Sequence, residues 1–121
     1  MVIFCTFIIF TQIALKGSME VRFNNKYLEK LYFSDKLKIK SVYSIEVIEQ
    51  FRKKILLLKQ TENTLKLRSY KGLNFEALKG DKKGLYSIRV NKQYRIEFTI
   101  EKEIITLLEI IFIEDLSKHY E

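Results

Sequence analysis

Within EALKGDKKGLYSIRVNKQYRIEF, residues 76–98, three lysines (Lys79, Lys82 and Lys83) occupy a glycine-flanked turn just ahead of two arginines, Arg89 and Arg95. Planar guanidinium groups fork onto phosphate oxygens and a lysine adds a compact point charge, so this set suits a nucleic-acid backbone. Near the end of the sequence stand His119 and Tyr120. Histidine is the side chain whose ordinary pKa suits proton transfer near neutrality, and a tyrosine ring can stack on a base or donate a hydrogen bond. A lone histidine there is equally well a solvated residue, so composition by itself leaves catalysis open.

The elements that must position these groups are bounded by composition. A chain of 121 residues with 47% hydrophobic and 13% aromatic content is long enough for one cooperative core and too short for two. Lys and Arg number 22 against 15 Asp and Glu, a net charge of +7, which favours a polyanion, an anionic membrane or an acidic protein as partner. Charge alone does not choose among them. The single cysteine, Cys5, has no internal disulfide partner, and one His with one Cys is too few ligands for a structural zinc site. A reducing cytoplasm is expected, and no metal centre built on His and Cys.

The first eighteen residues, MVIFCTFIIFTQIALKGS, differ from the rest. Their apolar run is interrupted by Thr6, Thr11 and Gln12, has no basic residue before it, and is too short to span a bilayer. Residues 1–18 read as a mis-called start, with translation beginning at Met19, because Lys16-Gly17 implies a purine-rich codon pair of the kind ribosomes bind ahead of a start. A natural apolar extension is the alternative. Residues 19–121 then form one domain.

From Met19 to Phe23 polar and apolar residues alternate as in a short strand. Asn24 and Asn25 offer capping oxygens to a helix whose Tyr27, Leu28, Leu31 and Tyr32 recur at helical spacing. Residues 34–43 read as either helix or loop. Ser44 caps a second helix to about Gln60, with Ile48, Phe51, Ile55 and Leu58 in one stripe. Past a connecting segment, Tyr86, Ile88 and Val90 share one side of a strand, and Tyr94, Ile96 and Phe98 one side of the next. Residues 104–113 are apolar on both faces and predict a final, well-covered strand.

These parities fix a register. A two-residue turn at Asn91-Lys92 would set Ile88 opposite Arg95 and mix the faces. A three-residue turn pairs Val90 with Tyr94, Ile88 with Ile96 and Tyr86 with Phe98, and it sets Arg89 directly opposite Arg95. Like charges so placed repel. Unless Glu97 or Glu109 neutralises them, an anion should. The predicted fold is α+β: two N-terminal helices packed on one face of a small, mainly antiparallel sheet, with a basic concave face opposite.

The run LKGDKKGLYSIRVNKQYRIEF, residues 78–98, resembles without a gap the core motif of the HigB toxins, the plasmid-maintenance killer proteins of the RelE/ParE superfamily. More loosely, residues 19–121 have that family's order of strand, two helices and antiparallel sheet. The resemblance implies the toxin of a bacterial type II toxin–antitoxin system, a cytoplasmic mRNA interferase that cuts mRNA in the ribosomal A site and needs no metal or other cofactor. The 2′-hydroxyl of the substrate attacks the adjacent phosphate. By position, Arg95 and Lys79 would meet the phosphorane charge, His119 would be acid or base and Tyr120 would position or stack on a nucleotide, with Arg89, Lys82 and Lys83 binding RNA. The family often has a histidine three residues before the LKG lysine. Here that residue is Glu76, a carboxylate that can serve as base. The family's usual ending is Asp-Tyr-His, against Ser117-Lys-His-Tyr-Glu here, so aligning His119 takes a shift of about a residue. The implied partners are a HigA-type helix-turn-helix antitoxin, the ribosome and mRNA, with no membrane. Two other readings stand beside this one: a ParE-like inhibitor of DNA gyrase, and an inactive basic module that binds RNA or protein through charge.

Overall fold

Hydrogen-bonding side chains open both main helices. The computed structural model describes residues 19–34 and 41–118; the apolar segment 1–18, most of the ambiguous 34–43 stretch, His119 and Tyr120 lie outside them. In α1 (Lys26–Phe33) the Asn25 side chain accepts from the Leu28 N–H at 3.1 Å, and Leu28 and Leu31 are buried. In α2 (Ile45–Gln60) Ser44 accepts from the Val47 N–H at 3.2 Å, as its capping role predicts. The stripe of Ile48, Phe51, Ile55 and Leu58 is buried. Thr61 ends this helix by donating its N–H and its hydroxyl to the Leu57 carbonyl. A single turn, α3 (Thr64–Leu67), follows in the expected connecting segment.

The helices cover a five-stranded sheet of order β1-β5-β4-β3-β2, with β1 at Glu20–Phe23, β2 at Glu76–Ala77, β3 at Tyr86–Arg89, β4 at Tyr94–Lys102 and β5 at Glu109–Lys118. Only β1 runs parallel to its neighbour, β5. The fold is therefore α+β with a mainly antiparallel sheet, as the sequence predicts. The hairpin register holds residue for residue: Tyr86 pairs with Phe98, Ile88 with Ile96 and Arg89 with Arg95. Val90 donates its N–H to the Tyr94 carbonyl at 2.9 Å, closing the three-residue turn.

The last strand is interior, between β1 and β4, but it does not occupy residues 104–113. Ile104 and Ile105 lie at an exposed turn, 88% and 89% accessible. That turn is closed by Glu103 donating to Leu108 at 2.8 Å and Leu107 donating to Glu103 at 2.9 Å. Apolar residues there are not strand residues, because the chain must reverse after Lys102. A β-bulge follows. Glu97 pairs with Asp115 and Phe98 with Ile113, which leaves Glu114 without a partner across the ladder. The extra residue shifts the parity, so Ile111, Ile113 and Leu116 all face the core with Ile96 and Phe98. Glu114 itself anchors the start of α1, its carboxylate accepting from Asn24 at 2.7 Å and its carbonyl from Asn25 at 3.2 Å.

The buried apolar residues form one cluster, with Phe51 fully buried between helix and sheet. Phe51→Ala is expected to destabilise the fold by about 3–5 kcal/mol, read as a lower urea midpoint at unchanged slope. Tyr43 donates its hydroxyl to the Leu116 carbonyl at 2.9 Å and packs edge-on to Tyr94. Burial, then the charge of Asp115 and the nearby Tyr27 and Tyr94, raises the Tyr43 phenol above its ordinary 10.0. The neutral phenol is the folded form, so its contribution is complete below pH 10.0 and is lost as pH rises through the higher folded value. Tyr43→Phe is expected to flatten that alkaline loss in a pH series of melts, and an unchanged slope above pH 10.0 contradicts the assignment.

Candidate functional site

The sheet face away from the helices carries two rows of polar residues. Strand pairing aligns Glu76, Ser87, Glu97 and Asp115 across β2, β3, β4 and β5, and it aligns Arg89, Arg95 and Ser117 across the adjacent position. Alternation along each strand puts these residues on one side because the other side is committed to the core.

Arg95 is the centre of this face. Its side chain is only 8% exposed and does not wait for an external ligand. Its Nε donates to the Ser87 hydroxyl at 2.8 Å, its Nη2 donates to the Asn74 carbonyl at 2.7 Å, and Nη2 also stands 3.5 Å from the Glu76 carboxylate. The repulsion expected between Arg89 and Arg95 is thus relieved within the protein. Arg89 turns its Nε to the Asn91 carbonyl at 3.2 Å, while Arg95 turns away towards Ser87 and Glu76.

Neither carboxylate named as a candidate neutraliser does this work. Glu97 is buried and receives Lys82 Nζ at 2.6 Å and the Ser117 hydroxyl at 2.7 Å. Glu109 accepts from the Thr64 hydroxyl at 2.5 Å and the Thr64 N–H at 2.7 Å. The centre of the face is accordingly charge-matched rather than uniformly basic. Its open cations are at the margin: Lys79 and Lys83 are exposed, and among the described residues no carboxylate lies within ion-pair distance of either.

The glycine-flanked turn is explained by its backbone. Gly80 and Gly84 both have positive φ, at 68° and 98°, on either side of a 3₁₀ turn at Gly80–Lys82. That turn hands Lys82 back to Glu97 and leaves Lys79 exposed. Asn74 has φ 47°, a left-handed conformation that asparagine tolerates. Its carbonyl is the one Arg95 binds. The short strand β2 then brings Glu76 beside Ser87, so a residue singled out only by resemblance proves to be part of the Arg95 cluster. Its carboxylate is 54% exposed and accessible to a ligand. Asn74, Ser87 and Ser117 were not singled out from sequence. The visible signal for Ser87 was its place on the same strand face as Arg89.

The arrangement offers a half-open carboxylate held against a buried guanidinium, edged by the exposed side chains of Lys79 and Lys83. This is a geometry for moving a proton beside positive potential. Arg95→Ala leaves the buried Ser87 hydroxyl and the Asn74 carbonyl without their donor and is expected to cost about 1–3 kcal/mol. Faster amide exchange at residues 76–77 and 85–87 should accompany it, and Arg95→Lys should not restore protection, because an ammonium lacks the fork. Unchanged exchange in Arg95→Ala contradicts the anchoring role.

Residues 21–110 match a family described as the RelE-like toxin of the type II toxin–antitoxin system HigB. The chain is 41% identical over 80 residues to Toxin HigB-1 of Vibrio cholerae serotype O1 (strain ATCC 39315 / El Tor Inaba N16961), an overlap of 66% of this chain and 82% of that one. A solved structure, a YoeB/ParE toxin from Agrobacterium tumefaciens, is similar with a TM-score of 0.50 over 84% of this chain and 100% of that one. At 18% identity that likeness concerns the fold alone.

Proposed function

The chain belongs to the HigB-like family of RelE-like toxins of type II toxin–antitoxin systems, and from that premise we propose that it is a ribosome-dependent mRNA endoribonuclease restrained by its cognate antitoxin. The observation that carries the enzymatic part is the Glu76 carboxylate, half exposed and 3.5 Å from the Arg95 guanidinium, on a face edged by Lys79 and Lys83.

In this reading Glu76 takes the proton of the substrate's 2′-hydroxyl. The freed oxygen attacks the adjacent phosphorus, the bond from phosphorus to the 5′-oxygen breaks, and the products are a 2′,3′-cyclic phosphate and a 5′-hydroxyl. Both the attacking and leaving atoms belong to the RNA, so the protein supplies position, charge and proton transfer. Arg95 is a positioning residue: it orients Glu76 through the contact above, and its own donors are taken up by Ser87 and Asn74. Lys79, Lys83 and Arg89 hold the RNA backbone, while Lys82 acts through Glu97. His119 donates the proton to the leaving oxygen and Tyr120 stacks on a nucleotide. These two roles rest on the family resemblance. The functional unit is residues 19–121. No helix among the described residues is long and apolar enough to cross a membrane.

Induction without antitoxin, followed by mapping of mRNA ends on translating ribosomes, tests the proposal. Codon-phased cuts with 5′-hydroxyl ends are expected, and Glu76→Gln should slow cutting by about 10²–10⁴-fold while leaving the melting temperature unchanged. Intact mRNA with gyrase trapped on DNA overturns the reading in favour of gyrase inhibition. Intact mRNA with RNA binding retained overturns it in favour of the inactive module.

A further inference from the structure

On the helix layer, across the sheet from Glu76 and Arg95, α1 and α2 leave an open groove of roughly 420 Å³ lined by Tyr32, Phe33, Arg52, Lys53, Leu56 and Lys59. Its apolar surface is unusually bare: Phe33 is 64% exposed and Leu56 47% exposed. Both lie on helices whose opposite faces are committed to the core; Phe33 packs edge-on to Phe23 and Tyr32 and still leaves most of its surface open. Three cations rim these side chains, in a chain of net charge +7.

Resting on the toxin reading above, we infer that this groove is where the antitoxin docks, through an acidic amphipathic segment. That segment places aliphatic side chains between Phe33 and Leu56 and carboxylates on Lys53 and Lys59. Apolar contact supplies affinity and the charged rim supplies rate and selection of partner. A single-stranded nucleic acid is the poorer occupant, since it needs free ring faces and free phosphate-binding forks. Lys59 Nζ already sits 4.6 Å from the Tyr32 ring centre and 5.3 Å from that of Phe33. The Arg52 guanidinium is held by the carbonyls of Leu31 and Ser34. A second copy of this chain would set one basic rim against another, which costs affinity.

The full-length toxin carrying the photo-crosslinker p-benzoylphenylalanine at position 56 is purified in complex with its cognate antitoxin and irradiated, alongside a control with the crosslinker at position 92. An antitoxin adduct from position 56 but not 92, mapping to a segment with flanking Asp or Glu, is expected. Leu56→Asp and Lys53→Glu should each weaken the complex about tenfold or more and leave mRNA cleavage at its original rate. A complex that forms without an adduct at position 56, an adduct to RNA or to a second toxin, or unaltered affinity in both variants overturns the groove assignment. Absence of any complex with intact cleavage also overturns it, and absence of both complex and cleavage overturns the toxin reading beneath it.

Discussion

The guanidinium of Arg95 ties three separate parts of the chain together. Strand β4 holds it, β3 supplies the Ser87 hydroxyl, and the segment before β2 supplies the Asn74 carbonyl and the Glu76 carboxylate. A buried arginine is costly unless its donors are met, so the surrounding backbone is constrained to meet them. That constraint explains why Asn74 takes a left-handed conformation and why a strand as short as β2 pairs at all. It also explains how Arg89 and Arg95 can stand opposite one another in the ladder.

The two faces of the sheet divide the work. Helical stripes and the alternating strand residues give one apolar core, which supplies the folding energy and leaves the polar face free to carry charge. The bulge at Glu114 makes this possible on β5, because an uninterrupted strand would turn Leu116 outward and Ser117 inward. With the bulge, Leu116 joins the core and Ser117 reaches Glu97. Glu97 then holds Lys82, and through it the lysine-bearing turn between Gly80 and Gly84. The outer surface of the helices remains for a partner.

Much of this architecture was legible in the sequence where a local rule had one solution. The hairpin register followed from side-chain parity, since only a three-residue turn kept Ile88, Ile96, Tyr86 and Phe98 on one face. Asn25 and Ser44 announced the helix starts through their capping oxygens. What escaped depended on distant contacts. Residues 104–113 look like one strand by composition, but backbone hydrogen bonds make the first part of that stretch a turn. The Glu114 bulge leaves no periodicity that a short window can detect, and the two residues of β2 are too few to carry a pattern. Glu76 was visible only by resemblance; its pairing with Arg95 is a tertiary fact. The carboxylates set into the basic face escaped for the same reason, because Glu76 meets Arg95 and Glu97 meets Lys82 only once separate strands are brought together.

In the proposed mechanism Arg95 acts on RNA through Glu76 rather than as an independent phosphate ligand. A double-mutant cycle on the single-turnover rate of cleavage of ribosome-bound mRNA, using Glu76→Gln, Arg95→Ala and the pair, measures this directly. If Arg95 works through Glu76, the double variant cleaves no more slowly than Glu76→Gln alone. Fully additive losses, with each substitution multiplying the defect of the other, would contradict it.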